Sequence, residues 1–535
     1  MKASIKLIYA LLVTMVLNQG CDISLDENVY SAVTEENLDY KSMDITEMSM
    51  AVYLPFRWRL ICHPNSSYMM LQWSADDIAV PANLAGGWYD GGVFRRIDLH
   101  SWGTEQNQII EVWSALYKGV ILANDLIEKI EQDLFASSNT DEILAEMRVA
   151  RAFYYWLLLD TYGDVPLLKT TGKELPEKTD RSEIYQFIVT EIIESLPFLN
   201  ENNDSSTYGR FNKWAAKALL ANVYLNAETY TGNAEWTKVI EQTNDIIASN
   251  MYSLDDNFKD IFNVNSDSPE IIFAVPFDET NATGFKWQQF YFSTINEVFK
   301  TSVGGWGTGG PRGIPQFVNT FDEKDKRLSD SFMWGPMYTP DGEPVMGAFD
   351  YAGKHLVIKK EMENGLYVSI AEGYRMYKFK IEESALADAN NDFPFFRYAQ
   401  VLMMKAEALL RTNNTDEAAE LVTMVRQRSF DEPNDAVVTG NDLMQNSVYN
   451  YGYVENYEIV DPGNQDPVEY GRMFDELGWE FVWEGFRRRD MIRFGIFTEK
   501  SWLSHQPQGD YRTVFPIPKE AIDANPKLEQ NPDYL

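Results

Sequence analysis

Two cysteines, Cys21 and Cys62, in a chain of 535 residues leave no disulfide framework, so stability has to come from burying apolar surface. The four histidines, His63, His100, His355 and His505, stand far apart, with no second histidine at helical spacing and no Cys-x-x-Cys. That excludes an ordinary zinc site, and with it a catalytic transition metal. Positive charge is scarce: 46 Lys plus Arg against 81 Asp plus Glu give a net charge of −35, which repels phosphate backbones and excludes a nucleic-acid partner. Beyond Cys21 no run is apolar enough to span a bilayer. What is plentiful is apolar and aromatic content. Hydrophobic residues make up 45% of the chain, enough for one large core or two fused ones. Aromatics reach 14%, with 14 Trp and 29 Tyr, side chains whose flat apolar face and polar edge suit recognition surfaces.

The N-terminus gives an address. Lys2 and Lys6 precede the apolar run Leu7 to Leu17, too short to cross a membrane but suited to a secretory signal, and Gly20-Cys21 follows where a lipoprotein signal peptidase would cut. Residues 1–20 are therefore expected to be a signal peptide, Cys21 the lipid attachment point, and residues 21–36 an acidic tether. Asn18 stands where a lipobox usually has an apolar residue.

Residues 37–535 read as one mostly α domain. Apolar residues recur at i, i+3, i+4 and i+7 over Glu111–Glu131 and Asp141–Tyr162, a pair predicted to pack antiparallel. Further helices are predicted over Arg181–Leu199, Asn212–Tyr230 and Ala234–Asn250, with Ala215, Ala216, Ala218 and Ala221 permitting close approach by a neighbour. Trp214–Asn250 and Tyr398–Phe430 each read as a tetratricopeptide-like helix pair, the kind of unit that must stack to bury its faces. Such pairs are expected within 111–250 and 393–494.

Two stretches differ in character. Residues 68–103 and 277–377 are rich in Gly, Pro, Trp, Tyr, Asp and Asn and read as long ordered loops, the place for a ligand. A pyranose ring offers C–H bonds on one face and hydroxyls round its rim, so its recognition calls for an aromatic platform edged by planar polar groups. The candidate ligand-binding residues are Trp73, Asp77, Asn83, Trp88, Tyr89, Asp90, Trp287, Tyr291, Trp306, Arg312 and Trp334, with Arg95 close by. Trp88 and Trp306 lead, because flanking glycines would let each present an exposed ring. Trp113, Trp156, Trp214, Trp236, Trp479 and Trp483 fall inside periodic helices and are expected in the core.

No catalytic residue is predicted. Gly305, Gly307 and Gly310 match a dinucleotide-type glycine pattern, but Pro311 and Pro315 forbid the helix it needs. Glu480 and Glu484 would share a helical face with Arg487 and Arg488 placed to neutralise them, a structural ion-pair arrangement rather than a glycosidase dyad. Asp76 and Asp77 are adjacent and point apart. Asp77 and Asp90 are expected to ionise as ordinary carboxylates.

Seven segments in order carry a resemblance: CDISLDENVYSAVTEENL from Cys21, WSALYKGVILAN from Trp113, AEMRVARAFYYWLLLDTYGDVPL from Ala145, GRFNKWAAKALLANVYL from Gly209, FRYAQVLMMKAEAL from Phe396, ELGWEFVWEGFRRRDMIR from Glu476 and FPIPKEAIDANPKLEQNPDY from Phe515. Together they resemble the SusD/RagB outer-membrane lipoproteins of polysaccharide utilisation systems. The resemblance implies four tetratricopeptide-like helix pairs beside an irregular ligand-binding half, and a cell-surface location at the outer membrane, held by the lipid anchor alone. It also implies capture of an oligosaccharide or polysaccharide without cleavage, and a SusC-like TonB-dependent transporter as partner. A RagB-like branch that handles peptides is the alternative, a glycoside hydrolase the more distant one. No cofactor is expected, with calcium in an acidic loop left open.

Overall fold

The two longest helices span the two blocks Glu111–Glu131 and Asp141–Tyr162. In the computed structural model, which describes residues 38–534 apart from 64, 173, 265, 289–294, 303–308, 384, 386 and 387, helix α1 (Ile45–Pro55) precedes α2 (Ser67–Trp73), α3 (Val93–Asp98), α4 (Asn107–Glu131) and α5 (Thr140–Tyr162). The signal peptide, Cys21 and the tether lie outside the described residues. Residues 44–535 form one compact unit, and the described part of 1–43 holds a single turn, Tyr40–Ser42.

Helix α4 buries Ile109, Val112, Trp113, Leu116, Val120, Ala123 and Ile127. It runs antiparallel to α5, as its periodicity predicts. Tyr162 Oη donates to the Ile109 carbonyl at 2.7 Å, Arg151 Nη1 to Asn124 Oδ1 at 2.7 Å, and Arg148 pairs with Glu131 at 3.2 Å. Gly119 makes the close crossing possible: a Cβ there would lie 2.1 Å from the Tyr154 ring.

Next come α6 (Arg181–Ser195), α7 (Lys213–Leu225) and α8 (Trp236–Ser249), then α9 (Tyr398–Arg411) and α10 (Thr415–Gln427). Asn212 starts α7 by accepting from Trp214 N and Ala215 N, and Ala215, Ala216, Ala218 and Ala221 are fully buried. The predicted helix Asn212–Tyr230 is in fact interrupted. Asn222 donates to the Ala218 carbonyl and Asn226 to that of Asn222, and side-chain amides competing for helix carbonyls favour a break at Asn226 before a short turn over Ala227–Thr231. Helix α8 stops at Asn250, whose φ of 56° is left-handed. It packs on both α7 and α9, and α9 packs on α10, so the two helix pairs stack.

The strand β3 (Ile271–Val275) pairs antiparallel with β6 (Phe393–Arg397), which leads directly into α9. Here Arg397, 1% exposed, binds Glu270 and Glu480 at 2.7 Å through Nη1 and Glu484 at 2.7 Å through Nε. Arg327 joins Asp325, Glu476 and Glu480, Arg428 joins Glu270 and Glu480, and Lys378 joins Glu484. The expected ion pairing of Glu480 and Glu484 is present, but its partners are corrected. Arg487 binds Asp76 at 2.7 Å and Arg488 reaches Asp160 at 3.4 Å instead. The reason is a broken helix: α11 (Gly471–Phe481) ends before Trp483 (φ 67°) and Gly485 (φ 76°), and α12 (Arg487–Arg493) restarts on a new axis. Trp483, expected inside a helix, lies in that break, buried, with its indole donating to the Ser331 carbonyl.

The two stretches read as loops are more structured than expected. Ser66 accepts from Met69 N and starts α2, whose residues are all buried. Strand β1 (Ile78–Ala79) pairs antiparallel with β4 (Arg312–Gly313), and β2 (Ala82–Asn83) pairs parallel with β5 (Tyr367–Val368). Each stretch therefore supplies the other's backbone partners. No helix among the described residues is long and apolar enough to cross a membrane.

Candidate functional site

The seam between these two stretches has a buried aromatic floor and an exposed rim. Trp73 is fully buried, edge-on to Trp88 at 6.3 Å and to Phe94 at 5.4 Å between ring centres. Trp88 was expected to present its ring, yet it is 8% exposed. Its left-handed backbone (φ 60°) folds the indole onto Gly310, where a Cβ would sit 2.5 Å from the ring. The glycine serves packing, not presentation.

Exposure falls to the next residue. Tyr89 is 44% exposed and Tyr367, from the distant stretch, 45%. The Arg95 guanidinium lies between their rings, 5.1 Å from one centroid and 4.7 Å from the other. Arg95 Nη1 also reaches the Leu366 carbonyl at 3.4 Å. Asp90 is exposed, with φ 39°. Asn83 is buried beneath, its Oδ1 accepting from Ala85 N at 2.9 Å. The tyrosine–arginine–tyrosine stack thus offers flat apolar faces edged by donors, the arrangement a sugar ring needs.

Asp77 lies under the rim, not on it. It is fully buried, accepts from Gln72 Nε2 at 2.7 Å, and its carbonyl accepts from Ile314 N across the seam. Burial first, and the Asp76 charge second, push its carboxyl up to about 7 against the pull of Arg487 and Gln72, which corrects the ordinary acidity expected from sequence. Arg312 is also buried, clasping the carbonyls of Gly310 and Glu372, with Nη2 lacking an acceptor among the described residues; burial lowers it to about 9.

Two candidates lie apart from the seam. Trp287 is fully buried, donating to the Ile61 carbonyl at 3.0 Å among Tyr68, Phe285, Phe379 and Phe393. Trp334 is half-buried in a separate surface cavity of about 610 Å³, with Lys360 Nζ 5.1 Å above its ring and Lys324, Lys326, Asp431 and Asp435 around it. Tyr291 and Trp306 fall outside the described residues. Tyr367 was missed by the sequence reading, since nothing local in NGLYV reveals that its backbone pairs with Ala82. Trp58, in neither stretch, is the tryptophan among the described residues that stands out to solvent, 40% exposed.

The carboxylates weighed as a hydrolytic dyad from the sequence are committed to other partners. Glu480 and Glu484 are fully buried in ion pairs, and Asp76 is held by Arg487 and by Tyr451 Oη at 2.9 Å.

Comparison with known proteins matches residues 269–534 to the SusD family and residues 67–225 to a family described as starch-binding, associating with the outer membrane. The starch-binding protein SusD of Bacteroides thetaiotaomicron is 23% identical over 497 residues, 84% of this chain and 82% of that protein. SusD-like protein P25 of Formosa agariphila is 23% identical over 452 residues, 79% of each. Among solved structures, Bacteroides fragilis NanU superposes with a TM-score of 0.72 at 18% identity, over 94% of this chain and 99% of that one. Surface glycan-binding protein A of B. thetaiotaomicron, in complex with laminarihexaose, gives 0.69 at 20% identity, over 91% and 98%.

Proposed function

Because this chain belongs to the SusD family and has its mostly helical fold, we propose that it captures oligosaccharides at the cell surface without cleaving them and hands them to a SusC-like TonB-dependent transporter. In this reading Cys21 anchors it to the outer membrane. The relatives described as starch-binding and glycan-binding support the ligand class.

The observation that carries the proposal is the exposed Tyr89–Arg95–Tyr367 stack, assembled from residues that meet only through the β2–β5 pairing. Solvent-facing aromatics held rigid by a guanidinium lose little entropy on stacking a sugar. Asn83 and the buried tryptophans act as positioning residues beneath it. Capture needs no tuned acid or base, and Glu480 and Glu484 are committed to buried ion pairs.

The test is calorimetry with the best ligand from a polysaccharide screen, comparing wild type with Tyr89→Ala, Tyr367→Ala and the double variant. Each platform is worth roughly 0.5–1.5 kcal/mol beyond area burial, so single losses should weaken binding by about tenfold or less and the double loss by more. A double variant with a native circular dichroism spectrum and unchanged affinity would overturn the site.

A further inference from the structure

We propose that Arg95 and Arg96 form an anion subsite, and hence that the captured glycan is acidic, bearing carboxylate or sulfate groups. This rests on the glycan-capture reading and narrows its substrate class.

In a chain so rich in acid, arginines find carboxylates readily. Arg327, Arg397 and Arg487 all do so, although each is buried. Arg95 and Arg96 do not: among the described residues neither has a carboxylate oxygen within 4.0 Å, although Asp90 stands in the turn just before their helix. Their partners are neutral. Arg96 Nε donates to Gln106 Oε1 at 3.1 Å and Nη1 to the Gly91 carbonyl at 2.8 Å, and Arg95 donates to the Leu366 carbonyl. Arg95 Nε is buried and has no acceptor among the described residues.

The two guanidiniums also converge. A Cβ built on Gly92 would lie 3.4 Å from Arg96 Nη1 and 3.7 Å from Arg95 Nη2, and the φ of 81° at Gly92 keeps that position free of a side chain. Two like charges held this close, with no counter-ion, repel each other. Holding a loop by its carbonyls accounts for one or two N–H groups on each arginine. It does not account for placing both cations together beside the exposed stack. An anion would relieve the repulsion and accept from the unused N–H groups of two forks already held in place. The net charge of −35 repels an acidic glycan at long range, but beyond a Debye length of about 8 Å that repulsion is screened, so contact is decided by the local arginines.

The test uses the full-length protein in detergent against a panel of oligosaccharides: galacturonate, alginate and sulfated galactan as acidic probes, and α-glucan, β-glucan and mannan as neutral ones. The tightest acidic binder is then compared with its methyl-esterified or desulfated form on wild type, Arg95→Gln/Arg96→Gln and Arg95→Lys/Arg96→Lys. The expected result is preference for an acidic probe, a loss in the Gln pair toward that probe roughly tenfold or more beyond its smaller loss toward the uncharged form, which Arg95 causes by steadying the tyrosines, and partial retention in the Lys pair. A loss of equal size toward charged and uncharged forms would assign the arginines to loop structure and overturn the proposal, as would unchanged acidic binding by the Gln pair. Binders that are all neutral would overturn it while leaving glycan capture standing. Binding of no glycan would overturn glycan capture itself.

Discussion

Asp77 illustrates how a single residue changes meaning once it is buried. With its carboxyl raised to about 7 and Asp76 beside it, the folded protein holds this proton more tightly than the unfolded chain, where an Asp titrates at about 3.9. The sign follows from linkage: the stabilising share is fully present below the unfolded value and is lost as pH rises through about 7. Asp77→Asn keeps an oxygen for Gln72 Nε2 and removes the charge, so the variant should gain stability over wild type at pH 8, by roughly 2–4 kcal/mol at most, and much less at pH 5. Urea unfolding at the two pH values measures this, and an equal difference at both would refute it. Because Asp77 carries a backbone bond to Ile314 across the seam, ligand affinity need not be flat across neutrality, as ordinary carboxylates would have made it.

Among elements, the α4–α5 crossing and the broken segment 471–493 carry opposite lessons. Gly119 is unremarkable in sequence, yet its missing side chain admits the Tyr154 ring between two long helices. Gly119→Ala should therefore destabilise despite the better helix propensity of alanine, by about 1–3 kcal/mol, seen as a lowered urea midpoint. A variant as stable as wild type would mean that the crossing yields without cost. In 471–493 the four-residue spacing of charges suggested one continuous helix. Left-handed Trp483 and Gly485 divide it, and its carboxylates meet arginines from β6, from the residue after α10 and from the segment before Phe332. Periodicity identifies a helix; it does not say where tertiary ion pairs will make a break the better solution.

For the molecule as a whole, no helix among the described residues is long and apolar enough to cross a membrane, and the anchor proposed is an acylated Cys21. Cys21→Ala should move the protein from the membrane pellet to the soluble fraction. Retention of that variant on membranes in cells lacking the transporter would defeat the anchor assignment.

The sequence by itself determined the family, the mostly helical fold, the antiparallel α4–α5 pair, the stacked helix pairs and the burial of the helical tryptophans Trp113, Trp156, Trp214 and Trp479. Those features follow from local period and composition, which short-range physics reads directly. The two stretches it marked meet in the seam. Which of their aromatics reach solvent was decided only in three dimensions. Trp73 and Trp88 are drawn under by Phe94 and Gly310, while Tyr89 and Tyr367 remain outside around Arg95. Exposure depends on which distant backbone a residue meets, and the two-residue pairings of β1 with β4 and β2 with β5 are too short to leave a periodic trace.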